Sequence, residues 1–115
     1  MTLFRVFLAA CLTAILVYTG VTIANHGANL LPIFFGDMAK MEWPGQFNLD
    51  FMTFLLLAGI WVAWRDHFSP GGMALGVVAV FGGMLFLSAY LLVHSVKTGG
   101  DVKALLLGPT RAQQP

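Results

Sequence analysis

The apolar run over residues 47–64 restricts the fold of this chain more than any other stretch. A tryptophan flanks it on either side, Trp43 before it and Trp64 at its end. A helix over 43–64 would be about 31 Å long at ~1.5 Å per residue, close to the ~30 Å hydrocarbon core of a bilayer. Tryptophan is enriched at both membrane interfaces. The one charge inside, Asp50, lies in the first turn of the 47–64 run, where a helix N-terminus tolerates an anion. The run predicts a transmembrane helix.

Two further spans are predicted on either side of this helix. Residues 6–24 carry no charge and follow Arg5. This run is longer than the ~7–15 residues of a signal-peptide apolar region, so we interpret it as a retained helix with Cys11 as a buried, inert thiol. Residues 71–94 form the third run, and Ser69-Pro70 supplies an N-cap and first-position pair for it.

The connection between the first two spans is expected to contain a short amphipathic helix at about 30–41. Its apolar residues recur at spacings of three and four, which suits a helix lying in the headgroup region. They are Leu31, Phe34, Phe35, Met38 and Met41. The fold class predicted is therefore an all-α integral membrane protein with three transmembrane helices and one interfacial helix. Residues 1–97 form a single transmembrane domain, and 98–115 form a polar, partly disordered tail.

Three spans would place the 25–46 connection and the tail on one side of the membrane. The N-terminus and Arg65 would then share the other side. Lysine and arginine are more numerous on the tail side, which the positive-inside rule assigns to the cytoplasm. The four on that side are Lys40, Lys97, Lys103 and Arg111, against Arg5 and Arg65.

Composition excludes several function classes. The chain has 115 residues, of which 58% are hydrophobic and 10% charged, with a net charge of +1. An ordinary soluble domain has about a quarter of its residues charged. There is no basic stripe for a nucleic acid, and no HExxH, phosphate-binding loop or nucleophile–histidine motif. We expect no catalytic residue, no metal site and no cofactor.

Small residues follow one face of the third run at helical spacing. Such a stripe lets helix backbones approach closely, which matters in lipid because burial there brings no hydrophobic gain. The stripe consists of Gly72, Gly76, Ala79 and Gly83. We expect it to pack within the monomer rather than between copies.

With three crossings, polar residues from distant parts of the chain would meet at one membrane face. These candidate binding residues are His26, Asn48, Asp50, Tyr90, His94 and Lys97. The favoured interpretation is a structural polar cap, with Asp50 paired to Lys97 or His94. A second is a pocket for a lipid, quinone or isoprenoid. A third, a metal held by His26, His94 and Asp50, lacks the usual ligand spacings.

The chain resembles a family of small bacterial membrane proteins with three predicted spans, known only as a domain of unknown function. The resemblance runs from about His26 to His94. It rests on His26-Gly27, the Leu- and Phe-rich connection, Asp50, Trp64-Arg65 and the Tyr-Leu-Leu that begins at Tyr90. It implies a three-span topology in a bacterial inner membrane and no particular activity.

The function expected from the sequence is non-enzymatic. A chain this small, without catalytic groups, suits an accessory or scaffold subunit of a membrane assembly, in contact with the bilayer and with a partner protein or further copies of itself. The alternative is a membrane-embedded binding protein or enzyme for a lipid-like molecule at the Asp50, His26 and His94 face.

Overall fold

The computed structural model describes residues 1–113, and these form helices and connecting turns without a strand. Three helices are long and apolar enough to cross a membrane. The predicted all-α fold, with three long apolar helices and a short one between the first two, is confirmed. The helices are α1 (Thr2–His26), α2 (Leu31–Ala39), α3 (Trp43–Arg65), α4 (Pro70–Lys97), α5 (Val102–Leu107) and α6 (Pro109–Ala112).

Local sequence explains where α3 and α4 begin. Trp43 and Pro44 open α3, with the proline in the first turn, where its missing N–H costs nothing. Ser69 caps α4, because its Oγ accepts the backbone N–H of Gly72 at 3.0 Å. Between them α2 lies against the start of α3, and Gly45 is buried where a side chain would collide with the α2 backbone at Asp37.

The path of α4 is the main departure from a straight three-helix bundle. Its first arm, residues 70–82, runs antiparallel to α3, with Gly76 packed on Gly59. Gly83 then adopts φ 57° and ψ −140°, a conformation outside the helical region, beside Phe51. The second arm, residues 84–97, runs parallel to α3, since Tyr90 reaches Arg65. Both ends of α4 therefore lie at the same end of the molecule.

Because α4 turns back at Gly83, its small residues have two different roles. Gly72, Gly76 and Ala79 are buried, and the two glycines lie directly against α3. A Cβ on Gly76 would approach the Gly59 carbonyl oxygen to 2.8 Å, so this contact requires glycine. Gly83, expected in the same stripe, forms the corner instead, because its positive φ cannot continue a helix.

Helix α1 packs on α4 through its first half alone. Leu8 is fully buried and Cys11 is half-buried, whereas every residue from 13 to 26 is exposed. The second half of α1 thus extends beyond the corner of α4. This extension accounts for the elongated shape of the molecule, 49 × 27 × 24 Å.

The tail differs from the expected partly disordered segment. It forms α5 and α6, because Asp101 caps α5 through the Lys103 N–H and Leu105 is buried at 3% exposure. Both helices lie against the C-terminal end of α3, and Gly100 lies beside Met1. The prediction that the tail shares a side with the 25–46 connection is therefore wrong. Residues 114–115 lie outside the described part of the chain.

The turn of α4 at Gly83 also places most of the lysine and arginine residues at one end of the molecule. We call the end that holds the N-terminus, the end of α3 and the tail the basic end. Five of the six lysine and arginine residues lie there, namely Arg5, Arg65, Lys97, Lys103 and Arg111. Lys40 lies at the opposite end, which we call the α2 end.

The corner at Gly83 predicts a specific loss of stability. Gly83→Ala should destabilise the protein by about 1–3 kcal/mol, because an alanine at this φ and ψ is strained. Thermal unfolding of the purified protein in detergent measures this. Gly71→Ala is the matched control, since a Cβ there meets nothing within 4 Å and alanine favours a helix. Equal melting temperatures for the two variants would contradict the assignment of Gly83 as the corner.

The folded-back α4 also makes a topological prediction. Reporter domains fused to the N-terminus and to the C-terminus should report the same side of the membrane. A straight α4 would place the two ends on opposite sides. Paired fusions to alkaline phosphatase and to a fluorescent protein, read in whole cells, distinguish these outcomes.

Candidate functional site

The structure divides the six predicted binding residues between the two ends of the molecule. Tyr90, His94 and Lys97 belong to the basic end, because the second arm of α4 returns there. His26 ends α1 at the α2 end, where α3 begins with Asn48 and Asp50. The predicted single polar face is therefore wrong, and so are the pairing of Asp50 with Lys97 or His94 and the metal site that needs His26 beside His94.

Arg65 is the centre of the basic end. Its side chain is 5% exposed and donates three hydrogen bonds. Nε reaches the Leu105 carbonyl at 2.7 Å, Nη2 the Ala104 carbonyl at 3.4 Å, and Nη1 the Tyr90 hydroxyl at 3.3 Å. The last carbonyls of a helix have no partner within that helix. Arg65 supplies a donor to the Leu105 carbonyl and a second donor to the Ala104 carbonyl, which also accepts the Gly108 N–H at 2.9 Å. In turn, α5 keeps a buried charge hydrogen-bonded.

Two further contacts hold the tail on α3. The indole Nε1 of Trp61 donates to the Leu106 carbonyl at 3.0 Å, so three successive carbonyls of α5 are occupied. Arg111 donates to the Trp64 carbonyl and places its guanidinium carbon 4.0 Å from the centroid of the Trp64 ring. Such a cation–π contact adds to the attraction between α6 and α3.

Arg5 holds α1 to the second arm of α4. Its Nε donates to the Ser95 hydroxyl at 3.1 Å and its Nη2 to the Ser95 carbonyl at 2.9 Å. Ser95 is fully buried. Together Arg5 and Arg65 connect α1, α3, α4 and α5. Of the predicted binding residues, Tyr90 takes part in these hydrogen bonds through its hydroxyl.

Aromatic packing fills the rest of the basic end. Tyr90 stacks on Phe86 with centroids 5.5 Å apart, and the His94 ring lies 4.3 Å from the Tyr90 ring. Trp61 meets Tyr90 edge to face at 6.0 Å. His94 thus contributes to an aromatic stack, and no carboxylate within residues 1–113 hydrogen-bonds to it.

At the α2 end, the polar residues act separately. The Asn48 amide donates to the Phe34 carbonyl at 3.0 Å and so fastens α2 to α3. Asp50 and His26 are exposed, and the ion pair found across residues 1–113 joins Lys40 to Asp37 at 4.0 Å. In the same part of the chain, no three His, Cys, Asp or Glu side chains converge as metal ligands.

An apolar cavity of about 390 Å³ lies at the α2 end, between α2, the first half of α3 and the corner of α4. Asn48 is its one polar lining residue. The others are Leu30, Leu31, Phe34, Phe35, Phe51, Met52, Leu55, Val80 and Phe81. Asp50, His26 and the basic-end residues do not line it. The sequence interpretation named Asn48 as a candidate but missed the cavity.

Sequence reasoning also missed Arg5, Arg65 and the tail contacts. Two signals were present. Gly82-Gly83 interrupts the middle of an otherwise apolar run, which permits a corner. Leu105, Leu106 and Leu107 follow an Asp101 cap, which is typical of a short buried helix.

Comparisons with known proteins add no relative: the chain matches no protein-family model, no curated protein and no solved structure.

The Arg65 network predicts the behaviour of the tail. Arg65→Ala should lower stability by about 3 kcal/mol, on the order of 1 kcal/mol for each hydrogen bond removed. It should also free α5, so that trypsin cleaves at Lys103 faster than in the parent protein. Arg65→Lys should be intermediate, because lysine lacks the planar fork of donors.

Lys97→Ala is the control, since it removes an exposed charge from the same end. If trypsin cleaved the tail of Arg65→Ala and Lys97→Ala at the same rate, Arg65 would not be what holds α5.

Proposed function

We propose that this protein is a non-enzymatic accessory or scaffold subunit of a membrane assembly. The observation that supports the proposal is the second half of α1. This stretch is exposed from 13 to 26, yet it carries a polar stripe formed by Tyr18, Thr22 and Asn25 at spacings of four and three. The Thr22 hydroxyl donates to the Tyr18 carbonyl of the same helix at 2.9 Å, and threonine and asparagine side chains in transmembrane helices also hydrogen-bond across helix interfaces. We infer that another helix covers this stripe.

The rest of the molecule supports a structural role. The buried polar groups of the basic end hydrogen-bond to one another and to backbone carbonyls. Among these groups, within residues 1–113, no nucleophile is hydrogen-bonded to a base. The second half of one helix, α1, projects from this bundle and is exposed over residues 13–26.

We further infer an orientation. Five of the six lysine and arginine residues lie at the basic end, so the positive-inside rule assigns this end to the cytoplasm. The resemblance of the sequence to small bacterial membrane proteins suits a bacterial inner membrane. The start of α1 and helix α6 then face the cytoplasm, and α2 lies in the outer headgroup region.

Native mass spectrometry of protein extracted gently from its own membrane tests the proposal. We expect a defined partner chain, or a defined number of copies of this chain, at fixed stoichiometry.

A photocrosslinking amino acid in place of Val21, in the exposed half of α1, should give one discrete adduct. The same amino acid in place of Leu57, which is 65% exposed on α3, should give none.

A stable monomer without a co-extracted chain would rule out an accessory-subunit role. A co-extracted chain that crosslinks equally from both positions would place the interface away from α1.

A further inference from the structure

The cavity at the α2 end has the size and chemistry of a small-ligand site. Its volume of about 390 Å³ falls within the ~300–1,000 Å³ usual for ligand pockets. Three separate elements build it. Helix α2 forms one wall, α3 forms the second, and Val80 and Phe81 of α4, close to the corner, form the third.

The lining determines what can bind. Nine of the ten lining residues are apolar, so a polar ligand placed there would lose its hydrogen bonds to water without replacement. A hydrocarbon chain has no such loss, and four aromatic rings give it a large contact surface. Those rings belong to Phe34, Phe35, Phe51 and Phe81.

Asn48 is the one polar group positioned to recognise a ligand. Its Nδ2 donates one hydrogen bond to the Phe34 carbonyl, which holds the amide in place. Its second N–H and its carbonyl oxygen make no hydrogen bond within residues 1–113. A hydroxyl group next to a hydrocarbon chain can accept from the free N–H or donate to the Asn48 carbonyl oxygen, and a carbonyl group there can accept from the free N–H.

The cavity opens where a membrane molecule can enter. Leu31 and Phe81 line it and are 57% and 80% exposed, so its mouth is apolar. It also lies beneath the interfacial helix α2. We propose that the cavity binds one hydrocarbon chain of a lipid-like amphiphile, with Asn48 hydrogen-bonded to the oxygen group at the end of that chain. This site is independent of the α1 surface.

Photolabelling of the purified full-length protein in vesicles tests the site. The vesicles contain phosphatidylethanolamine, phosphatidylglycerol and a trace of a phospholipid with a diazirine on one acyl chain. We expect the label on peptides of α2, on 48–55 of α3 and on the corner of α4. Leu31→Trp should reduce it about tenfold, the change expected from displacing two buried methylene groups.

Ile33→Trp is the matched control. It places the same indole on α2, two residues away, at a residue that is 59% exposed and does not line the cavity. Its labelling should equal that of the parent protein. If the circular dichroism spectrum of Leu31→Trp differs from that of the parent protein, Leu30→Trp replaces it. Leu30 lines the same cavity and precedes the first residue of α2.

Competition identifies the source of the chain. Displacement of the label by unlabelled phospholipid supports an acyl ligand, and displacement by farnesol supports an isoprenoid ligand. Displacement by neither would overturn the proposal. Label spread evenly over the exposed apolar faces would also overturn it, because that pattern indicates annular lipid contact only. Equal labelling of Leu31→Trp and Ile33→Trp would overturn it as well.

Discussion

The backbone conformation of Gly83 is the constraint on which the rest of the structure depends. Because φ is positive there, α4 turns back and its second arm meets Arg65 rather than the start of α3. That one turn brings the N-terminus, the end of α3 and the tail together. It also leaves the space at the α2 end that becomes the apolar cavity, since each arm of α4 is only about 20 Å long at ~1.5 Å per residue.

The two ends of the molecule are held by different forces. At the basic end, the buried Arg65 guanidinium bonds to the Leu105 carbonyl at the end of α5, and the half-buried Arg5 guanidinium bonds to the Ser95 carbonyl of α4. Such groups are costly to bury unless every donor is used, so this end tolerates little rearrangement. At the α2 end, the hydrogen bond from Asn48 to the Phe34 carbonyl and the close approach of Gly45 to the α2 backbone hold α2 on α3. The tightly bonded end suits a fixed scaffold, and the less polar end suits the entry of a ligand.

The sequence predicted the helices well and their arrangement less well. Length and hydropathy are properties of each segment alone, so the three apolar helices and the helix at Leu31–Ala39 follow from the residues. The direction of a chain after a glycine depends on tertiary contacts. Sequence reasoning that takes the 71–94 run as one uninterrupted span therefore places His94 and Tyr90 at the α2 end, whereas they lie at the basic end. The tail was interpreted from its polar residues, although Leu105 determines its packing.

The contacts of Arg65 have a consequence for biosynthesis. Its acceptors at Ala104 and Leu105 lie 39 and 40 positions further along the chain. During synthesis, α3 and the first arm of α4 are therefore complete while this guanidinium still lacks its main partners. The basic end can close only once the last helices have left the ribosome. Until then the arginine needs water, which keeps the end of α3 at the membrane surface while the bundle assembles.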